Sequence, residues 1–451
     1  MTSWRLFSPL ALPCGDVIPN RIAKAAMEEN MADADHLPGA ALRTLYEKWS
    51  RGGVGLIISG NVMIDPKAMT GPRGVVLDFT QPLAPFVDWA KAAHAGGGRA
   101  WLQINHPGRQ TPASLRQEAV APSAIKVRIP GHEDLFPTPR ALREDEIFSL
   151  IDRFATTAQL VEEAGFSGVQ IHSAHGYLIS QFLSPLANAR TDGWGGTLER
   201  RSRFLFEVVR AVRARVHRSF AVGVKLNAGD FQKGGFDIAE AAFVVSQLEG
   251  MGVDLVELSG GTYESPAMQG RATSGPGLSA GGYFVELART IAARATVPIM
   301  VTGGITTRAV AEDAVTAAPG RAAVAMVGVA SALAFDPDLP RKWRDGEAAA
   351  TPVSRAPWKS PMGDVVNMEM ARVQLRRLGR GSRSGACTSP MWALAAYLVR
   401  TPIAARKYRR WIGRQSATLA ALEQPVGARG LLVAAGASGA ERSASLDPAE
   451  G

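Results

Sequence analysis

His172, His175 and Tyr177 fall within six residues of one another. Two imidazoles can hydrogen-bond a carbonyl or phenolate oxygen of a ligand, and a phenol can deliver a proton. The same two His could also begin a metal site, which needs a third His or carboxylate close by. They could equally be packed structural rings beside a packed Tyr. Lys225 sits inside the apolar run Ala221–Leu226, where an ammonium is costly unless an anion faces it. Thr302-Gly303-Gly304-Ile305 ends a further run just before helix-like sequence. Glycines there expose main-chain N–H groups, and a helix N-terminus adds a favourable partial charge, which together suit a phosphate. A tight turn needs Gly too. Gln103-Ile-Asn105-His106 closes another run.

What must position these groups is a series of eight short apolar runs: Ile22–Ala26, Gly55–Ser59, Ala100–Ile104, Gly168–His172, Ala221–Leu226, Leu255–Ser259, Pro298–Thr302 and Ala322–Val327. Each is about five residues long and rich in aliphatics, as strands buried on both faces are. Amphipathic stretches of helical spacing separate them, for example Ile147–Glu163, Leu198–Arg215 and Ile238–Gly250. Eight strands alternating with helices predict a (β/α)₈ TIM barrel, with an open doubly wound sheet as the alternative. No Gly-x-Gly-x-x-Gly follows the first run, which argues against a dinucleotide fold. In a barrel, catalytic groups gather at the C-terminal ends of strands, and that is where the singled-out residues fall. Residues 105–143, rich in Pro, predict a functional loop or lid after the third strand.

The chain has 451 residues, a net charge of +9 and only two cysteines, Cys14 and Cys387. Two distant thiols exclude a disulfide framework and a four-Cys metal or iron–sulfur site, and they fit a reducing, cytoplasmic setting. The start of the chain carries no secretory signature. The most apolar late stretch, Met391–Ala405, is broken by Arg400 and Pro402, so no membrane span is expected. The charge is uneven. Arg341–Arg414 holds sixteen Lys/Arg against four Asp/Glu, leaving the rest of the chain near −3. We divide the chain into a catalytic barrel over 1–345, a linker over 346–364, a basic helical extension over 365–414 and a disordered tail over 415–451. The extension is read as helices packed on the barrel or on a second copy in a homo-oligomer, with peripheral contact to an anionic membrane as the sharper alternative. No nucleic-acid motif accompanies the charge.

Several ordered pieces resemble the old yellow enzyme family of FMN-dependent oxidoreductases across roughly residues 5–345. They are Asn20-Arg-Ile-Ala-Lys-Ala-Ala-Met27, Gly53-Val-Gly-Leu-Ile-Ile-Ser-Gly60, Gln103-Ile-Asn-His-Pro-Gly-Arg109, Gln170-Ile-His-Ser-Ala-His-Gly-Tyr-Leu-Ile-Ser-Gln-Phe-Leu-Ser-Pro185, Arg190-Thr-Asp-Gly-Trp-Gly-Gly196, Gly223-Val-Lys225 and Val301-Thr-Gly-Gly-Ile305. The resemblance implies FMN across the barrel mouth, with Ala25, Ala26, Met27 and Gly60 flanking the ring. Gln103 would meet its pyrimidine edge, Lys225 its N1/O2 side, and Gly303, Gly304, Gly328 and Ser331 its phosphate. It also implies that His172 and His175 hold a substrate oxygen while Tyr177 protonates the α-carbon of an alkene reduced at the expense of NADH or NADPH. The chain departs from the family at Glu28, where relatives carry Thr or Cys, and at Ser331, where many carry Arg. A carboxylate at 28 aimed inward would oppose an anionic reduced flavin, and Ser331 brings no charge to a phosphate. Without a Cys run or a second flavin domain, electrons are expected directly from NAD(P)H. The competing readings are a flavin enzyme of other chemistry (amine demethylation or isomerisation), a metal-dependent barrel hydrolase, and a flavin-poor, non-catalytic barrel.

Overall fold

Eight parallel strands pair into a closed ring in the computed structural model, which describes residues 5–269, 282–347, 349–351, 353–358, 360–382 and 388–422. They are β1 (Ile22–Lys24), β2 (Leu56–Ile58), β3 (Arg99–Asn105), β4 (Gly168–Ser173), β5 (Ala221–Asn227), β6 (Leu255–Ser259), β7 (Ile299–Thr302) and β8 (Met326–Val329). Each pairs with its sequence neighbour, and β8 pairs back onto β1 to close the barrel. Seven runs lie where the aliphatic clusters predict. The eighth, expected over Ala322–Val327, begins at Met326. Its first residues are taken by the surrounding helices: Arg289 donates to the Ala322 carbonyl, and the Val324 N–H bonds the Ala314 carbonyl.

The long helices follow their apolar stripes. One is α3 (Glu144–Glu163), with three acids in its first turn and Glu146 accepting from the Arg143 N–H. Another is α5 (Leu198–Arg215). A third is α6 (Ile238–Leu248), which starts where Asp237 accepts from Ala239 and Glu240 N–H groups. At the N-terminal end of the strands a small hairpin, Leu10–Ala11 with Val17–Ile18, seals the barrel: Leu10, Leu12 and Ile18 join Trp101, Leu56, Leu255, Met300 and Met326 in an apolar plug. Trp101 fits inside because Gly168 and Gly223 lack a Cβ, which would lie 2.5 Å and 2.7 Å from its ring.

The extension is built into this body. Helix α11 (Pro361–Gly379) starts earlier than the expected boundary at 365, because Ser360 caps it by accepting from the Gly363 N–H and Pro361 suits the first turn. It packs on helices α1 (Ala40–Arg51) and α9 (Ser331–Phe335), and Leu375 and Leu378 join the main core. Helix α12 (Pro390–Leu422) runs past the expected end at 414 and seats Ala405, Tyr408, Trp411 and Ile412 on Met63, Met69, Val76 and Leu115. Of the tail expected to be disordered, 415–422 is helical and 423–451 lies outside the described residues, as does Cys387. Among the described residues no helix is long and apolar enough to cross a membrane.

Candidate active site

Along a strand every second side chain enters the barrel, so Trp101, Gln103 and Asn105 on β3 climb the inner wall in order. Above the apolar plug the interior turns polar. Gln103 Nε2 donates to Gln170 Oε1 at 2.7 Å, Gln170 Nε2 donates to Glu257 Oε2 at 2.7 Å, and Lys225 Nζ donates to Glu257 Oε1 at 2.7 Å. All four are buried. Lys225 was expected to face a ligand's negative charge; its partner in the chain is Glu257, set beside it by the β5–β6 register. A second buried pair, Lys24 with Glu29 at 3.1 Å, sits between β1 and α1, and Tyr46 also donates to Glu29.

The His–His–Tyr group crowns this layer. His172 is the penultimate residue of β4, and its Nδ1 accepts from the Ala174 N–H, so the neutral ring carries its proton on Nε2. His175 has a left-handed backbone, φ 59°, held by its N–H donating to Asn227 Oδ1, while its Nε2 bonds Ser259 Oγ at 2.9 Å. The His172 ring lies 5.3 Å from that of His175 and 4.8 Å from that of Tyr177, edge to face. Burial holds both imidazoles well below their usual range, with Lys225 adding to the effect, so both are neutral at pH 7. Among the described residues no group of three or more His, Cys, Asp or Glu is placed to hold a metal ion.

Tyr177 has a partner that its own motif does not reveal. Its hydroxyl lies 2.8 Å from that of Tyr263, in the loop after β6. Burial, the neighbouring phenol and Glu28 push Tyr177 well above the usual phenol range, and burial with Glu28 pushes Tyr263 up to about 12. Both are therefore neutral donors. The loop after β3 closes over them: Arg109 pairs with Glu264 at 2.6 Å, and Phe136 stacks on Tyr263 at 6.0 Å.

Glu28 is answered by the extension. Arg372 of α11 meets Glu28 Oε2 at 2.9 Å, and Thr70 donates to Oε1 at 2.7 Å. The carboxylate that threatens an anionic cofactor on sequence grounds is thus neutralised by a cation 344 residues away. Tyr263, Glu257, Glu264 and Arg372 went unnoticed in the sequence. An aromatic just past β6 was a usable signal for Tyr263; nothing local distinguishes Arg372 from the other extension arginines.

The remaining expected residues line the same end. Ala25 is buried inside the barrel with Ala26 beside it, Met27 packs on the main core, and the Gly60 N–H donates to the Tyr46 hydroxyl. Gly303 and Gly304, at φ 142° and 73°, lie against Phe284 and Tyr283. Ser331 is half-buried at the start of α9. Thr302 Oγ1 and both amide atoms of Asn105 are buried without a hydrogen-bond partner, and a Cβ on Gly328 would strike Thr302 Oγ1 at 1.9 Å. Unsatisfied polar atoms in a mouth kept open by glycine fit a polar, phosphate-bearing group such as FMN. An open cavity of about 620 Å³, lined by Cys14, Asp16, Arg99 and His217, lies at the opposite end of the barrel, away from this chemistry.

Residues 5–349 match the NADH:flavin oxidoreductase / NADH oxidase family. The NADH-dependent flavin oxidoreductase iliE of Hypocrea jecorina (strain QM6a) is 36% identical over 384 residues, 78% of this chain and 93% of the relative. Among solved structures, the old yellow enzyme homologue of Zymomonas mobilis is 25% identical with a TM-score of 0.64, covering 77% of this chain and 94% of its own. Morphinone reductase in complex with tetrahydroNAD is 29% identical with a TM-score of 0.62, covering 77% and 92%. The chain belongs to the NADH:flavin oxidoreductase / NADH oxidase family and is an FMN-dependent oxidoreductase of the old yellow enzyme type, with NADH or NADPH as reductant.

Proposed function

We propose that the chain reduces the activated C=C bond of α,β-unsaturated carbonyl compounds at the barrel mouth. The observation that carries this reading is the neutral His172/His175 pair beside a neutral Tyr177 that is backed by Tyr263. Ala25, Ala26, Met27, Gly60, Gln103 and Lys225 would hold the FMN ring, and Gly303, Gly304, Gly328 and Ser331 its phosphate. When bound, FMN supplies the hydride that it receives from NADH. The protein's residues do the rest. The His172 Nε2–H donates to the substrate's carbonyl oxygen, with His175 Nδ1 as the second contact, because its Nε2 is held by Ser259. This polarises the alkene and fixes its face. Tyr177 gives its proton to the α-carbon and regains one through Tyr263, which is reprotonated from solvent once the product leaves. The Arg109–Glu264 contact between the two loops excludes water from that transfer. Because Glu257 compensates Lys225, the ammonium acts as an oriented donor in a neutral pair.

The test is a visible spectrum of the purified protein followed by titration with p-hydroxybenzaldehyde. Flavin bands with a new long-wavelength band on titration support the assignment, and His175→Ala is expected to weaken the phenol about tenfold while sparing flavin content. Unchanged phenol affinity in that variant would remove His175 from the substrate site. A protein that stays colourless after FMN is added overturns the reading.

A further inference from the structure

The outward face of α12 has no cover from any described element. Met391, Trp392, Leu398, Val399 and Ile403 are 63, 57, 59, 61 and 48% exposed, while the opposite side of the helix is seated on the barrel through Ala405, Tyr408, Trp411 and Ile412. At helical spacing these five, with exposed Ala395, form one stripe. Past Pro402 the stripe turns basic, continuing through exposed Arg406 and Arg410, with exposed Arg400 at its edge. From Pro390 to Gln415 the helix carries six Lys/Arg and no Asp/Glu. Large apolar side chains aligned in this way mark a contact surface rather than scattered exposure.

We propose that α12 docks on an anionic lipid surface, its Met391–Ile403 stripe entering the headgroup layer and its cations facing acidic headgroups. The helix is not apolar enough to cross a bilayer, so it lies on one. The alternative cover, a second copy on a two-fold axis, would bring Arg406 and Arg410 of two helices together with no carboxylate on either helix to answer them. An anionic bilayer supplies that missing counter-charge, and Trp392 suits the water–lipid boundary. The helix rests on Met63, Met69 and Leu115, in the segments that follow β2 and β3, so docking sets the mouth end of the barrel beside the lipid. If the ene-reductase reading holds, the substrates favoured there are apolar enones that partition into the bilayer.

The experiment is flotation of the full, flavin-loaded chain with vesicles of phosphatidylcholine alone or with about 30 mol % phosphatidylserine. It needs no substrate, so its outcome is independent of the proposed reaction. The chain should float with the anionic vesicles, roughly tenfold less with the neutral ones, and should be released at about 0.5 M salt. Leu398→Ser/Val399→Ser is expected to lower the bound fraction about tenfold with flavin content unchanged. Arg406→Gln/Arg410→Gln should lower binding to anionic vesicles only. No flotation, or equal binding to both vesicle types, overturns the proposal. A dimer in sedimentation velocity that Leu398→Ser/Val399→Ser dissociates, without vesicle binding, assigns the stripe to a second copy instead.

Discussion

Replacing Arg372 by Met leaves Glu28 without its cation beside the Tyr177–Tyr263 pair. The two charges are 2.9 Å apart and each side chain is 19% exposed, so the pair is largely but not wholly removed from water. At an effective dielectric near 20 the gross attraction at about 4 Å is ~4 kcal/mol, and desolvation of the two partners offsets part of it. A net coupling of about 1–3 kcal/mol is expected. The two single variants should differ. Arg372 keeps Glu369 at 3.9 Å when Glu28 is changed, whereas Glu28 keeps only the Thr70 hydroxyl when Arg372 is changed. Arg372→Met should therefore destabilise by about 2–3 kcal/mol and Glu28→Gln by about 1 kcal/mol, with the double variant less destabilised than the sum. The assay is a double-mutant cycle by urea unfolding, repeated on the p-hydroxybenzaldehyde dissociation constant. Uncompensated Glu28 opposes a bound phenolate, so Arg372→Met should weaken it about tenfold and Glu28→Gln should restore it in the double variant. Additivity within ~0.5 kcal/mol in both readouts would refute the claim that the extension tunes the site.

Tyr177→Phe should slow the oxidative half-reaction with enones and leave reduction by NADH intact, and Tyr263→Phe should produce the same pattern to a smaller degree; a slowed reductive half-reaction in stopped flow would contradict both roles. Burial pushes the His106 imidazole down to about 4 and holds His172 and His175 well below their usual range. The unfolded chain therefore takes up protons near pH 6.5 that the native state refuses, and stability should fall as pH drops from about 6.5 toward 4, by up to ~1.4 kcal/mol per pH unit for each such ring. Urea midpoints measured across that window should show it, and His106→Asn should make the slope shallower; an unchanged slope would mean His106 titrates normally in the native state. Deleting 423–451 should leave flavin content and melting temperature unchanged. By contrast, Trp411→Ala, which empties the seat of α12 on the barrel, should destabilise by about 3–5 kcal/mol.

The barrel was legible in the sequence because strands buried on both faces need compact aliphatic runs, and helices packed outside them need a stripe at 3.6-residue spacing. Both patterns are local. The exception is instructive: Ala322–Val327 has the composition of a strand, but the Arg289 side chain and the end of the helix Arg308–Val315 claim its first residues. The helical extension was legible in the same way, while its starting point turned on a cap at Ser360 that a composition count does not weigh. The sequence also placed His172, His175 and Tyr177 at or just past the end of one run and Gln103 and Lys225 near the ends of two others, since positions relative to the aliphatic runs are readable without knowing the fold in detail.

What only the tertiary structure decided is which charges and hydroxyls meet. Lys225 and Glu257 stand 32 residues apart and become neighbours through strand register. Tyr177 and Tyr263 are 86 residues apart and meet because two loops cross the same mouth. Glu28 and Arg372 are 344 residues apart and meet because α11 packs back over the first strand's exit. Composition shows the sixteen basic residues of Arg341–Arg414 as an undifferentiated surplus; packing selects one of them to neutralise Glu28 and leaves others along the bare stripe of α12. Secondary structure follows from the periodicity of side chains along one segment, whereas an ion pair or a shared proton depends on where two distant segments end up, and that is settled only by closing the barrel.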